Sequence, residues 1–130
     1  MPATASSISK GSQGSKAARI AAWILAALIV ILSLVPPILR PETGAPHSLE
    51  HFTIFAVTGF AFGLDYTRRH DLVAILLVIF SGAIEIAQLF VQGRHARVGD
   101  FIIDPVTACI GVVIVSLLLG VRKTSLHSSL

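Results

Sequence analysis

LVAILLVIFSGAIEIAQLFV, residues 72–91, decides the fold. Twenty residues with a single charged group, Glu85, rise about 30 Å as a helix, the thickness of a bilayer's hydrocarbon core. An unbroken apolar run of that length reads as a transmembrane helix, and the chain around it repeats the pattern. Of its 130 residues 54% are hydrophobic and 13% charged, and the mean hydropathy is +0.82. A soluble domain carries about 25% charged residues, and one of this size has no interior large enough for so much apolar surface. The class implied is an all-α, four-helix transmembrane bundle.

Upstream, residues 1–16 are rich in Ser, Gly, Ala and Thr without periodicity, as expected of a disordered tail. The first helix is expected from about Ala17 to Val35 or Leu39, closed by Pro36-Pro37, because a residue before proline disfavours the helical region. A cleaved signal peptide is the competing reading of this segment. Its uncharged run, Ile20 to Leu39, is longer than a signal core and ends in Pro-Pro-Ile-Leu-Arg without a small-x-small site, so a retained helix is expected. The second helix is expected from about Ser48 to Leu64; its uncharged part, Phe52–Leu64, is short, and Gly59 and Gly63 form a GxxxG pattern that admits a close neighbour. The fourth is expected from Phe101 or Pro105 to Val121, with Gly111, Ser116 and Gly120 as small packing positions, before a short tail at 122–130. The transmembrane domain is thus expected at 17–121.

Lys and Arg between the apolar runs set the expected orientation. With the N-terminus inside, the inner segments hold Lys10, Lys16, Arg19, Arg68, Arg69, Arg122 and Lys123, and the outer loops hold Arg40, Arg94 and Arg97. Both termini are therefore expected in the cytoplasm. Although the net charge is +3, the basic residues form no single face, so no nucleic-acid partner is expected. Cys109 is the lone cysteine, which rules out an intrachain disulfide framework.

Glu85 is the chief functional signal. It lies about 9 Å below the outer end of its helix at 1.5 Å per residue, and a charge at the bilayer centre costs on the order of 2.5–3.5 kcal/mol. Such a group must face a partner or water. At 100° per residue Ser81, Glu85, Gln88 and Gln92 share one face, as do Asp100, Asp104, Thr107 and Gly111 on the next helix. His47 and His51 lie one turn apart near the outer end of the second helix, and the intervening loop adds Arg94, His95 and Arg97. All are expected on one side of the membrane.

His51-Phe52, Glu85-x-x-Gln88-x-Phe90, Arg94-x-Ala96, Asp100 and Gly111 together resemble the VanZ-like family of bacterial membrane proteins. The resemblance covers roughly residues 20–120. It departs from the family pattern at His47-Ser48, where Asp-Lys is usual, at Asp104, where Asn is usual, and at Thr107, where Gly is usual. It implies a place in the bacterial inner membrane and a link to glycopeptide resistance, and no reaction.

Several readings compete. His47-Ser48-Leu49-Glu50-His51 matches H-x-x-E-H, and its two His could bind zinc with Glu85 or Asp100; an interfacial His pair is the plainer reading, and neither metal nor cofactor is expected. Glu85 paired with Arg94 or His51 could simply fix helix packing, or serve a ligand, a catalytic step or a proton path. Asp104-Pro105 looks like a cap and first residue of a helix, the alternative being a helix from Asp100 kinked at Pro105. The expected function is an outer-facing site of His51, Glu85, Gln88, Arg94, Asp100 and Asp104 that binds a polar headgroup, a lipid-linked envelope precursor or a glycopeptide. Arg94 would offer a bidentate fork to phosphate or carboxylate. The rivals are an enzyme acting on a lipid-linked substrate, with Glu85 and His51 as acid–base pair, and a structural subunit of an envelope complex. Oligomerisation through Gly59 and Gly63 is a further expectation.

Overall fold

The computed structural model describes residues 8–41, 43–93 and 97–128, without the side chains of 8–15 and 126. Among them are four α-helices: α1 (Ile8–Leu34), α2 (His47–Asp65), α3 (His70–Gln88) and α4 (Val98–Ser128), with a 3-10 turn at Pro37–Leu39. By length and composition α1, α3 and α4 are able to cross a membrane. The described surface agrees: Trp23, Ile31, Ile75, Ile79, Ile86, Val113 and Leu117 are exposed, while His51, Thr58, Ser81, Glu85, Gln88, Asp104 and Thr107 are buried. Polar inside and apolar outside is the arrangement that lipid, not water, favours.

α2 and α4 form the closest pair. A Cβ on Gly59 would run into the backbone carbonyl of Ala108, and one on Gly111 into the carbonyl of Ala56 and the amide of Phe60. The two glycines therefore let the backbones touch, as small residues do between helices in lipid. Gly63 faces Val112 and Val115 with more room. This corrects one expectation: the Gly59/Gly63 face is occupied by α4 of the same chain and is not open to a second one. Ser116 and Gly120 are exposed, and among the described residues nothing lies within 4 Å of a Cβ placed on Gly120. Around the crossing, Ile29, Phe55, Val73, Leu77, Ile84, Ala108 and Val112 make the apolar core.

At the end where α2 meets α3, Arg19 donates to Asp65 at 2.9 Å and tethers α1 to α2. His70 lies 3.0 Å from the Gly63 carbonyl across the turn. At the opposite end, Gly93 at φ 80° turns the chain after α3, a conformation a side chain would strain.

Two helix boundaries differ from expectation. α1 begins at Ile8, so residues 8–16 of the expected tail are helical, and residues 1–7 lie outside the described residues. α4 begins at Val98, not at Phe101 or Pro105, and continues through the expected tail to Ser128. Pro105 sits inside it, so Asp104 is no helix cap. The proline lacks the N–H that the Phe101 carbonyl would accept.

Candidate functional site

The chain's path brings three helix ends to one level. α2 starts, α3 finishes and α4 starts at the same end of the bundle, so His51 in the second turn of α2, Glu85 in the last turn of α3 and Asp104 in the second turn of α4 converge. Each follows from local spacing. Ser81, Glu85 and Gln88 on α3, and Asp100, Asp104 and Thr107 on α4, are buried stripes at helical intervals, as their positions in the sequence required. Gln92, the expected fourth member on α3, is exposed in the turn beyond the helix.

His51 Nδ1 lies 3.0 Å from Asp104 Oδ2. One turn away on the same two helices, His47 Nδ1 lies 3.9 Å from Asp100 Oδ2. The rings of His47 and His51 stack with centroids 4.4 Å apart, so the His–Asp contacts form two parallel rungs, the inner at hydrogen-bond distance and the outer too long for a hydrogen bond. The inner rung is closed to solvent: His51 is 4% exposed, Asp104 0% and Glu85 2%. Ligand-capable atoms of these three residues lie within 4.8 Å of one another. Among the described residues neither oxygen of Glu85 has a hydrogen-bond partner, nor has Asp104 Oδ1 or Gln88 Nε2. Burying such groups unpartnered is costly, so these atoms call for a proton, a water or a ligand between them.

Above the inner rung opens a cavity of about 510 Å³ lined by Pro37, Arg40, Thr43, His47, Glu50, Gln88, Arg97 and Asp100. A smaller one of about 200 Å³ reaches His51 and Ser33 on the α1 side. Between them Arg40 donates to Glu50 at 3.0 Å, and Thr43 donates to the same carboxylate, which fixes the α1–α2 loop as the partition.

The structure thus brings together His51, Glu85, Gln88, Asp100 and Asp104; Arg94 and His95 lie outside the described residues. It pairs His51 with Asp104 rather than setting it alone against Glu85, and His47 and His51 do not form the metal-capable group that H-x-x-E-H suggested. Asp104 is thereby moved from the cap reading to the site. Sequence reasoning missed Arg40, Thr43, Glu50 and Ser33. A lone Ser amid the apolar run of α1 was the one signal available for Ser33. Arg40 and Glu50 meet across a loop, at a spacing no helical periodicity shows.

The family model described as VanZ/LLP1 matches residues 44–119, more than half of the chain and every residue of the inner rung. No curated protein and no solved structure matches the chain.

Proposed function

The chain belongs to the VanZ/LLP1 family, and we propose on that premise that it is a cell-envelope membrane protein whose polar end faces outward and binds an anionic headgroup. α2 is the fourth span in this reading. Its 19 residues rise about 28 Å, close to the hydrocarbon thickness. Its hydropathy is lowered by His47, Ser48, Glu50 and His51, which serve the site. The observation that carries the binding role is the cavity itself: arginine side chains on its wall and, among the described residues, an unpartnered Gln88 Nε2 at its floor, in a bundle otherwise clad in apolar residues. Arg40 is engaged by Glu50, whereas Arg97 has no ion-pair partner among the described residues. A phosphate or carboxylate of a lipid-linked sugar, an envelope precursor or a glycopeptide would meet the guanidinium of Arg97 as a fork of donors. Gln88 Nε2 and the outer His47–Asp100 rung would address hydroxyls.

The test is lipid-resolved native mass spectrometry of the detergent-purified protein. Wild type is expected to retain an anionic, phosphate-bearing species, and Arg97→Ala to lose most of it while melting normally. Equal retention by the variant would refute the assignment.

The orientation rests on the seven-to-three Lys/Arg asymmetry and is tested separately. In a Cys109→Ala background, single cysteines at Thr43 and His95 should react with an impermeant thiol reagent in intact cells, with any outer membrane permeabilised. Cysteines at Thr67 and Ser125 should stay protected. Labelling at Thr67 without labelling at His95 would invert the topology.

The 3.0 Å contact between His51 and Asp104 favours a second reading, an enzyme acting on a lipid-linked substrate. A carboxylate oriented against an imidazole sets its tautomer and supports it as a general base, and Glu85 stands close enough to serve as the matching acid.

A further inference from the structure

We propose that His51, Glu85 and Asp104 form a binding site for one divalent metal ion of the Mn²⁺ or Zn²⁺ class, beneath the headgroup cavity. The donor set is one imidazole nitrogen and two carboxylates, one from each of three facing helices, the way metal sites are built inside helix bundles. Mixed nitrogen and oxygen donors suit these ions: imidazole favours zinc, and carboxylates favour manganese.

Geometry and charge point the same way. Two ligands each about 2.1 Å from one ion stand roughly 3.0–3.4 Å apart at octahedral or tetrahedral angles. His51 Nδ1 and Asp104 Oδ2 are already at 3.0 Å. The remaining separations, at most 4.8 Å, need to close by no more than about 1.4–1.8 Å of side-chain movement to reach that spacing. The ion would take the place of the proton between His51 and Asp104 and leave the imidazole neutral with its proton on Nε2: a neutral ring moves its proton from Nδ1 to Nε2, and an imidazolium releases the Nδ1 proton. It would also give both Glu85 oxygens and Asp104 Oδ1, all unpartnered among the described residues, a partner. With the two carboxylates ionised and the imidazole neutral, as metal ligands must be, the donor set brings two negative charges, which a divalent ion cancels. Among the described residues no Lys or Arg makes an ion pair with either Glu85 or Asp104.

Three protein ligands leave at least one position unfilled. Gln88 is one turn beyond Glu85 and Asp100 one turn before Asp104, and both line the larger cavity. The ligands thus stand about one helical turn, 5.4 Å, from residues of that cavity's wall, while His51 itself lines the smaller cavity on the α1 side.

The experiment uses the full chain in detergent, stripped with a chelator and dialysed, then titrated with Mn²⁺ alone and with Zn²⁺ alone. Bound metal is read by elemental analysis, and free Mn²⁺ by its electron paramagnetic resonance signal. One ion per chain is expected, with a rise in melting temperature. Glu85→Gln and Asp104→Asn should each weaken binding by roughly 10–100-fold or more, since even second-shell losses have that effect. His127→Ala, at the far end of α4, should bind as wild type does. Both site variants replace a carboxylate by an amide of the same shape, and circular dichroism of each apo form confirms that it is folded before it is titrated. Less than 0.1 ion per chain at saturating metal (a threshold of roughly a tenth, set by the affinity loss above) would overturn the inference, as would undiminished binding by both variants. The headgroup reading is scored apart: a chelated protein that still retains its lipid upholds that reading without the metal, and metal binding by the Arg97→Ala variant upholds the metal site without the headgroup.

Discussion

Gly59→Leu is expected to unpack α2 from α4 while leaving membrane insertion intact. The reason is the nearness of backbone to backbone: any Cβ at position 59 lands on the Ala108 carbonyl, which belongs to a helix axis and cannot swing aside like a side chain. Overpacking a well-filled interior costs about 1–3 kcal/mol and sometimes more. Here the rigid obstacle puts the cost at the upper end or beyond, about 3 kcal/mol or more. The loss would not stop at the crossing. Gly111 meets Ala56 and Phe60 on the other side of the same contact, so moving α4 outward also pulls Asp104 away from His51. Gly63→Ala is the internal control. Its Cβ would meet Val115 side-chain atoms at 3.3 Å, a contact that a rotamer change relieves. Thermal melting in detergent should therefore show a large drop for Gly59→Ala and Gly59→Leu and a small one for Gly63→Ala. Equal, small drops would mean that α2 and α4 do not cross at these residues.

Much of this site is legible along the chain because it is written at helical intervals. Ser81, Glu85 and Gln88 are three and four residues apart inside an apolar run, and a polar stripe there has nowhere to go but inward. The same holds for Asp100, Asp104 and Thr107. What a periodicity cannot supply is the partner. His51 and Asp104 are 53 residues apart, and their contact depends on how closely α2 and α4 approach. That distance was half-legible in Gly59 and Gly111, but GxxxG does not say whether the neighbour is the same chain or another. The start of α4 was misread for a definite reason: Asp-Pro is a favoured way to begin a helix, and Pro105 can sit two turns in because only one backbone hydrogen bond is lost. The tail was misread for another. Gly, Ser and Lys have no apolar face to argue for a helix, yet α1 extends through them from Ile8. The short apolar run of α2 conceals a helix as long as α3, since its first turns hold polar groups that the site uses.

The inner rung separates a structural from a functional carboxylate, and Glu85→Gln against His51→Ala is the decisive comparison. His51 is the one described cation-capable side chain in contact with Asp104, and Asp104 is fully buried. Removing the imidazole leaves two carboxylates with no donor between them and a void beside Phe55, on which the ring stacks. Breaking a buried pair in this way costs roughly 3–5 kcal/mol. Glu85→Gln does the opposite. It replaces one of two facing carboxylates, keeps the side-chain shape, and brings an N–H donor into the cluster where Asp104 Oδ1 lacks a partner among the described residues. Its stability is expected to equal or exceed that of wild type. If Glu85 were present only to hold the helices together, nothing else would change. A retained or raised melting temperature combined with loss of metal and of any headgroup-dependent activity would assign the carboxylate to function. Chemical denaturation of both variants in the same detergent, each in the chelated form, measures the contrast without interference from bound ions. If Glu85→Gln destabilises the fold as much as His51→Ala does, Glu85 is a packing residue and the cluster is a structural ion pair.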